Sequence, residues 1–250
     1  MTTSSQTCVI TGATGGVATA LADILRADGW RLALVGRDSI RIAATDADIA
    51  VEADVSTEAG ARAALDAAKT AFGAAPDAVV NCAGAVLIAP IARTSEQQYR
   101  DCLSANLDTA FFIAKAYTMA LQAEKRGGAL VLFSSVAAGV GVNNHAAIAM
   151  AKGGVEALTR SLAADFSALG LRVNTIAPGL METPATARFV SSDLARRAVS
   201  AQYPLGRHGE AADAAGLAAF LISQRAAWIS GQIIAVDGGF LGVRPTVKVS

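Results

Sequence analysis

The chain has 250 residues, of which 53% are hydrophobic and 17% are charged. Lysine and arginine together number 21, as do aspartate and glutamate, so the overall charge gives no reason to expect binding to nucleic acid or to an anionic membrane. The length and the apolar composition suit an α/β fold whose parallel sheet is covered by helices on both faces.

Short β-type apolar runs alternate with alanine-rich segments in which apolar residues recur at helical spacing. The predicted strands cover residues 8–11, 31–35, 49–52, 78–81, 129–134, 172–177 and 232–236. The predicted helices cover residues 16–27, 57–72, 95–123, 150–168 and 211–221. Strands that alternate with helices predict a Rossmann-type, doubly wound parallel sheet of about seven strands, with helices on both faces. Since no linker or repeat divides the sequence, we expect a single domain over residues 1–250.

Two stretches depart from this alternation. Residues 37–48 are too short for a full crossover helix. Residues 182–203 form a long excursion between the sixth strand and the last helix, which predicts an active-site lid.

Several features predict a location in the cytoplasm. The N-terminus has no basic segment, so we expect no signal peptide. The longest apolar stretch, residues 129–142, is interrupted by serines and glycines, which argues against a membrane-spanning helix. The three cysteines, Cys8, Cys82 and Cys102, lack the spacing of metal ligands, so we interpret them as buried thiols in a reducing compartment and expect no metal site.

A glycine-rich segment, Thr-Gly-Ala-Thr-Gly-Gly-Val-Ala at residues 11–18, lies between the first predicted strand and the first predicted helix. Glycines let the backbone turn tightly and approach a pyrophosphate, while the N-terminus of the helix offers free N–H groups. This strand–loop–helix position predicts a dinucleotide-phosphate site. Its candidate cofactor-binding residues are Gly12, Thr14, Gly15, Gly16 and Val17.

The segment resembles the Thr-Gly-x-x-x-Gly-x-Gly fingerprint of the short-chain dehydrogenase/reductase family, with Ala18 in place of the last glycine. Further segments that resemble motifs of this family follow in the order in which the family has them. They extend over nearly the whole chain, as far as Val-Asp-Gly-Gly at residues 236–239. The resemblance implies an oxidoreductase that acts on an alcohol or a ketone with a nicotinamide cofactor. It also implies further cofactor-binding residues, namely Asp54, Val55, Asn81, Ala83, Gly84, Pro178, Gly179 and Thr183.

The choice of cofactor depends on the end of the second strand, where an acidic residue would accept a hydrogen bond from the ribose 2′-hydroxyl of NAD(H). This position is Gly36, and Arg37 follows it. Because a guanidinium can pair with a 2′-phosphate, we expect NADP(H) to be preferred, with NAD(H) possible. In the alternative interpretation, Arg37 is a solvated turn residue and Asp38 takes the acidic role.

The catalytic set that the resemblance implies is incomplete. Ser135 would orient the substrate oxygen, Asn106 would place a water, and Lys152 would hold the nicotinamide ribose. The family tyrosine, which donates the proton, is expected four residues before the lysine, and this position is Ile148. A hydrocarbon side chain cannot donate a proton, and loss of a general acid costs about 10²- to 10⁴-fold in rate.

Three interpretations of this gap remain open. In the first, redox chemistry continues with another donor, and His145 is the nearest titratable candidate in sequence. In the second, the chain binds the cofactor without catalysis and has a regulatory or assembly role. In the third, which fits least well, it is a non-redox enzyme on the same scaffold.

The candidate catalytic residues also have purely structural interpretations. Ser135 could cap the end of a strand, and Asn106 could distort a helix by competing for backbone hydrogen bonds. Their spacing relative to Lys152 favours the functional interpretation.

The resemblance implies a homo-oligomer, a tetramer or a dimer, built through the helices at residues 95–123 and 150–168, which carry few charges. The expected partner is a small-molecule carbonyl or alcohol substrate. An apolar or amphipathic substrate is expected from the hydrophobic residues of the lid region, Met181, Phe189, Val190 and Leu194.

Overall fold

A computed structural model describes residues 5–45 and 47–244 of the chain. The first residues of the segment in which no signal peptide is expected, 1–4, lie outside the described part. A seven-stranded sheet forms the centre. Its strands are β1 Thr7–Thr11, β2 Arg31–Gly36, β3 Ile49–Glu52, β4 Ala78–Asn81, β5 Gly128–Phe133, β6 Leu171–Pro178 and β9 Ile233–Val236. They lie in the order β3-β2-β1-β4-β5-β6-β9, and every neighbouring pair is parallel. The Rossmann-type sheet predicted from the sequence is thereby confirmed.

Helices cover both faces of the sheet and create two apolar cores. One core packs α1 and α9 against the sheet, and the other packs α3, α5 and α7 against the opposite face. The helices are α1 Gly16–Ala27, α2 Ser39–Ala43, α3 Glu58–Phe72, α4 Glu96–Leu103, α5 Thr109–Glu124, α6 Val136–Gly139, α7 Ala146–Asp165, α8 Asp193–Ser200 and α9 Ala211–Ile222. Within the described ranges, no helix is long and apolar enough to cross a membrane.

The segment predicted as one helix over residues 95–123 is interrupted. Between α4 and α5, residues Ser104–Asp108 form a π-helical turn. A π-turn accommodates an extra residue and is frequent at functional sites, so this irregularity marks the position of Asn106. The helix predicted over residues 150–168 begins earlier, at Ala146, and places His145 at its N-terminal boundary.

The excursion predicted as a lid has its own small structure. A two-stranded parallel pair, β7 Met181–Glu182 and β8 Gly209–Glu210, brackets it. A 3-10 turn at Ala187–Val190 and the helix α8 lie between these strands. The excursion thus leaves the sheet at the carboxyl end of β6, where its residues come close to the ends of the other strands.

Candidate functional site

The glycine loop joins β1 to α1 at the carboxyl edge of the sheet. Gly12 has φ +63°, and a Cβ atom there would lie 2.7 Å from the backbone nitrogen of Ala83 in the loop after β4. A side chain at this position would therefore be strained and would also collide with backbone. The loop after β1 and the loop after β4 meet here, at the point where the strand order reverses, which is where ligands bind in such sheets.

The N-terminus of α1 is suited to an anion. Gly15 is the N-cap residue, no side chain caps the helix, and its first turn contains no acidic residue. The first N–H groups of a helix have no partner within the helix and carry the positive end of its dipole. The residues at this turn therefore fit the pyrophosphate of a dinucleotide.

The departure from the family fingerprint, Ala18, faces the interior of the protein. Its side chain is fully buried in the core between α1 and the sheet. On the other side of the loop, a Cβ atom on Gly16 would lie 2.9 Å from Cγ2 of Thr183. The start of the lid excursion thus rests on the glycine loop, and this brings Thr183 to the predicted phosphate site.

After β2 and β3, two acidic side chains, Asp38 and Asp54, accept hydrogen bonds from groups close by in the sequence. Asp38 caps α2 by accepting a hydrogen bond from the N–H of Arg41 at 3.0 Å. Asp54 accepts hydrogen bonds from the Ser56 hydroxyl at 2.7 Å and the Ser56 N–H at 3.0 Å. The bond from the Ser56 hydroxyl is the main cause of the lowered pKa of Asp54, and the charge of Arg37 adds a smaller contribution. Val55 is buried beside this carboxylate.

Asn106 holds the loop that follows β4. Its Nδ2 atom donates to the carbonyls of Ala85 at 3.0 Å and Cys102 at 2.9 Å, while its Oδ1 accepts from the N–H of Ala85 at 3.3 Å. A Cβ atom on Gly84 would lie 3.0 Å from Oδ1 of Asn106 and 3.5 Å from Nζ of Lys152. The structure therefore brings Asn106 and Lys152 together around Gly84.

Lys152 is buried, with 8% of its surface exposed. Its ammonium donates a hydrogen bond to the carbonyl of Phe133 at 2.9 Å, and no carboxylate of the described residues forms an ion pair with it. Burial lowers the pKa of Lys152 to about 8, an effect that the neighbouring thiols of Cys102 and Cys82 partly offset. At pH 7 this amine is therefore still mostly protonated.

Ile148, at the position predicted for the family tyrosine, is also buried, with 7% of its surface exposed. Ser135 is the N-cap residue of α6, and its Oγ accepts a hydrogen bond from the N–H of Ala137 at 3.2 Å. Ser135 thus caps a helix, whereas the structural interpretation from the sequence had it cap the end of a strand. The cap bond still leaves the hydroxyl hydrogen free to donate.

His145 lies immediately before α7, and its side chain makes no capping hydrogen bond to that helix. Its Nδ1 atom lies 2.7 Å from the carbonyl oxygen of Asn143, within its own turn. No hydrogen bond among the described residues joins the ring to Ser135 or Lys152. Although His145 is close in sequence to the predicted catalytic residues, the structure connects its ring only to its own turn.

Sequence reasoning missed two groups that position the site. The Tyr203 hydroxyl accepts a hydrogen bond from the N–H of Leu180 at 2.7 Å and so holds the turn after Pro178-Gly179. The Oε2 atom of Glu182 accepts a hydrogen bond from Nη1 of Arg196 at 2.5 Å and lies 3.0 Å from Nε2 of His208. These contacts connect α8 to β7 and to the residue that precedes β8. These partners are 14 to 26 residues apart, and no periodicity in the sequence marks them.

The sheet topology and the glycine loop at its switch point define a dinucleotide-binding α/β protein. The model of the enoyl-(acyl carrier protein) reductase family matches residues 12–241. The chain belongs to the short-chain dehydrogenase/reductase family, whose members are oxidoreductases.

Its relatives in this family include a protein of Xanthobacter autotrophicus named inactive 2-(S)-hydroxypropyl-CoM dehydrogenase 2. The two are 35% identical over 225 residues, which cover 86% of this chain and 96% of the relative. The cis-4-hydroxycyclohexanecarboxylate dehydrogenase of Sinomonas cyclohexanicum is 32% identical, with 95% and 97% covered. The structure of a short-chain type dehydrogenase/reductase from Mycobacterium ulcerans matches with a TM-score of 0.88 at 29% identity, over 96% of this chain and 91% of that chain.

Proposed function

We propose that this protein binds NADP(H) in preference to NAD(H) and acts as an atypical carbonyl/alcohol oxidoreductase. The observation that carries the proposal is the uncapped N-terminus of α1 beside the glycine loop, with Arg37 exposed at the end of β2. Asp38, the alternative acidic ligand for a ribose hydroxyl, is engaged as the cap of α2. Arg37 forms no ion pair among the described residues, and a guanidinium there favours the 2′-phosphate.

The residues that would hold the cofactor lie along the carboxyl edge of the sheet. When bound, the nicotinamide supplies or accepts a hydride. The buried ammonium of Lys152 would bind the nicotinamide ribose, Ser135 would orient the substrate oxygen, and Asn106 would place a water beside Lys152. The remaining proposed contacts are Gly12, Thr14, Gly15, Gly16, Val17, Asp54, Val55, Asn81, Ala83, Gly84, Pro178, Gly179 and Thr183.

The proton step is where this protein departs from the family pattern. Ile148 cannot donate a proton, so turnover is expected to fall by about 10²- to 10⁴-fold relative to an enzyme with a general acid. Positioning of the cofactor and substrate would sustain what remains. Replacing His145 by alanine tests that side chain as the substitute donor, and unchanged turnover would remove it from the mechanism.

A second candidate function is cofactor binding without catalysis, in a regulatory or assembly role. The buried hydrocarbon side chain of Ile148 favours it, and a relative at 35% identity carries the word inactive in its name. Both candidates require the same cofactor site, so cofactor binding is the first property to measure.

The proposal includes self-association, location in the cytoplasm, and one domain with residues 182–203 as its lid. Three apolar side chains on α5 and α7 are exposed: Phe111, Met119 and Met150. Their burial against a second copy would account for a dimer or a tetramer. Light scattering tests this interface, since Phe111→Glu should lower the molar mass of an oligomer, and a monomeric wild type would exclude it.

The deciding experiment is a calorimetric titration of the wild type with NADPH and with NADH. We expect NADPH to bind more tightly, and Arg37→Asp to weaken NADPH by roughly tenfold or more, because it removes one charge-assisted contact and adds a repulsive carboxylate. Arg225→Asp is the matched control, since Arg225 lies in the turn between α9 and β9, at the opposite edge of the sheet. If neither nucleotide binds, the oxidoreductase proposal fails.

A further inference from the structure

We propose that the substrate of this site is an uncharged, apolar carbonyl or alcohol compound, and that Leu241 and Val140 determine the preference for uncharged substrates. This inference rests on the proposed function, because it names the substrate class of the same site. It assigns the substrate contacts to three segments outside the lid.

Three segments at the carboxyl edge of the sheet contain no charged side chain. They are residues 82–92 after β4, residues 134–144 after β5, and residues 238–243 shortly after β9. Charged residues make up 17% of the whole chain, so these segments depart from its composition together and at one edge of the sheet. We call the surface that they form the apolar mouth.

The three segments contact one another beside Ser135. The N–H of Ala89 donates a hydrogen bond to the carbonyl of Asn144 at 2.9 Å, which joins the segment after β4 to the segment after β5. A Cβ atom on Gly139 would lie 3.5 Å from Cδ1 of Leu241, so the segment after β9 contacts α6. Because Ser135 is the N-cap residue of α6, the apolar mouth adjoins the hydroxyl that would orient the substrate oxygen.

Each part of the apolar mouth contributes an apolar side chain that the protein covers only partly. Four such side chains have between 37% and 43% of their surface exposed, namely Val86, Ile88, Val140 and Leu241. A bound apolar group would remove their remaining surface from water, which is favourable. In the lid, by contrast, Met181 and Val190 are already buried by the protein itself. The apolar surface that is left for a substrate therefore belongs largely to the mouth.

The ionisable groups next to the mouth in the chain are engaged by their own surroundings. Asp237 accepts hydrogen bonds from two backbone N–H groups of its own turn, at 2.9 and 2.8 Å. Lys152 donates to the carbonyl of Phe133, and the proposed function assigns its ammonium to the nicotinamide ribose. The ring of His145 contacts a carbonyl two residues before it. None of these groups is thus left to neutralise a charged substrate.

The arginines of the lid and of the segment ends complete the charges to be considered. Arg196 is paired with Glu182, and the guanidinium of Arg188 lies 4.7 Å from the ring centroid of Phe189. The others in the described ranges are exposed, namely Arg93, Arg197 and Arg244. An ion pair with an exposed arginine is weak because water and salt screen it. A carboxylate inside the mouth would lose its hydration without gaining a partner, which is unfavourable.

Two pairs of ketones test this charge preference without knowledge of the natural substrate. The cyclic pair is 4-isopropylcyclohexanone and 4-oxocyclohexanecarboxylate, and the linear pair is 2-octanone and 7-oxooctanoate. Each ketone is titrated by calorimetry into protein loaded with NADP⁺, or with NAD⁺ if that binds more tightly. The oxidised cofactor has no hydride to give, so binding is measured without turnover. We expect the uncharged member of each pair to bind about tenfold or more tightly than the carboxylate.

Two lysine variants place a positive charge at the mouth from different segments. We expect Leu241→Lys and Val140→Lys each to shift the binding preference toward the carboxylates by about three- to tenfold, through one new ion pair and one lost apolar contact. Trp228→Lys is the matched control, since it adds the same charge at a fully exposed side chain in the turn between α9 and β9. It should leave the preference unchanged. Cofactor affinity close to that of the wild type shows that each variant is folded.

The outcomes separate this inference from the proposed function. If the wild type binds the carboxylates as tightly as the uncharged ketones, or more tightly, the substrate class is wrong while the oxidoreductase proposal stands. If the wild type prefers the uncharged ketones and neither lysine variant changes this, the role of Leu241 and Val140 is refuted. Binding of the cofactor without binding of any of the four ketones would also overturn the inference. If neither NADP⁺ nor NAD⁺ binds, the proposed function fails and this inference with it.

Discussion

Ile148 lies one helical turn before Lys152 on the same buried face of α7. The two side chains are 7% and 8% exposed, and four residues separate them on a helix that runs from Ala146 to Asp165. Residues four apart on a helix are neighbours on its surface. The buried amine of Lys152 therefore lies beside a hydrocarbon side chain, and burial lowers its pKa.

Restoring a hydroxyl at residue 148 should restore proton transfer. We expect Ile148→Tyr to reduce small aliphatic and cyclic ketones with NADPH about 10²- to 10⁴-fold faster than the wild type, the usual contribution of a positioned general acid. Ile148→Phe is the matched control, because it supplies the same ring without the hydroxyl. NADPH oxidation is followed at 340 nm across a fixed panel of ketones. Equal rates for the Tyr and Phe variants, both folded and both binding NADPH, would show that residue 148 does not carry the lost step.

The close approach of Gly12 to the loop after β4 predicts a large effect of a single methyl group. Gly12→Ala must tolerate φ +63° and a contact of 2.7 Å with the backbone nitrogen of Ala83. Gly29→Ala meets only the backbone strain, since φ is +78° and nothing lies within 4 Å. We expect roughly 1–2 kcal/mol of destabilisation for Gly29→Ala, and about 1–3 kcal/mol more for Gly12→Ala.

Urea denaturation of the two glycine variants measures this difference. Gly12→Ala should also lose NADPH binding, because the loop must shift to relieve the contact, whereas Gly29→Ala should keep it. Equal stability of the two variants would mean that the loops after β1 and β4 are not in tight contact.

Lys152 makes the stability of the cofactor-free protein depend on pH. Its pKa is about 8 in the folded protein, against an ordinary value of 10.5, because burial disfavours the ammonium. The unfolded chain therefore binds this proton more tightly than the folded chain. The resulting penalty on folding is complete below about pH 8 and is relieved as the pH rises toward 10.5.

Replacing this lysine by methionine removes the penalty. At pH 7, we expect Lys152→Met to raise the free energy of unfolding by about 1–3 kcal/mol, less whatever is lost with the hydrogen bond to Phe133. This gain in the free energy of unfolding should shrink as the pH rises from 8 to 10. Lys115→Met, which breaks an exposed ion pair with Glu58, is the control and should cost less than about 1 kcal/mol. A gain that does not depend on pH would refute burial of a charged amine as its cause.

The ion pair of Glu182 with Arg196 should hold α8 over the site. Hydrogen bonds from Arg196, and then from His208, lower the pKa of Glu182 to about 2 from an ordinary 4.5. The stabilisation by this carboxylate is therefore complete above about pH 4.5 and is lost as the pH falls through about 2. At neutral pH, Glu182→Gln should speed amide hydrogen exchange in α8, with little change in α9.

Glu52→Gln is the control for the loss of one exposed negative charge, at the end of β3. The difference in α8 exchange between Glu182→Gln and the wild type should narrow below pH 4.5, where the carboxylate of the opened state begins to bind a proton, and should vanish near pH 2, where the carboxylate of the folded state does so. Unchanged exchange in α8 at neutral pH would show that the helix is held by its apolar contacts and not by this ion pair.

The pattern of residues along the chain predicted the central sheet well. The bounds of β3, β4 and α1 match the prediction at both ends, because each is a short apolar run or an amphipathic segment bounded by turn residues. The continuous helix predicted over residues 95–123 was wrong, whereas the alternative in which Asn106 distorts a helix agrees with its hydrogen bond to the Cys102 carbonyl. Asn106 lies in a π-turn whose existence depends on partners in the loop after β4, and no local signal in residues 95–123 reveals that loop.

The sequence by itself determined the alternation of strands and helices, the glycine loop, and the presence of Ser135 and Lys152 without a tyrosine at residue 148. These are properties of local pattern and spacing, which the chain carries along its length. Tertiary structure alone decided that Lys152 meets the carbonyl of Phe133, that Arg41 reaches Thr14, and that Glu182 joins Arg196 and His208. The first two contacts join residues 19 and 27 positions apart, so they exist only once the packing of the helices against the sheet has fixed where each side chain lies.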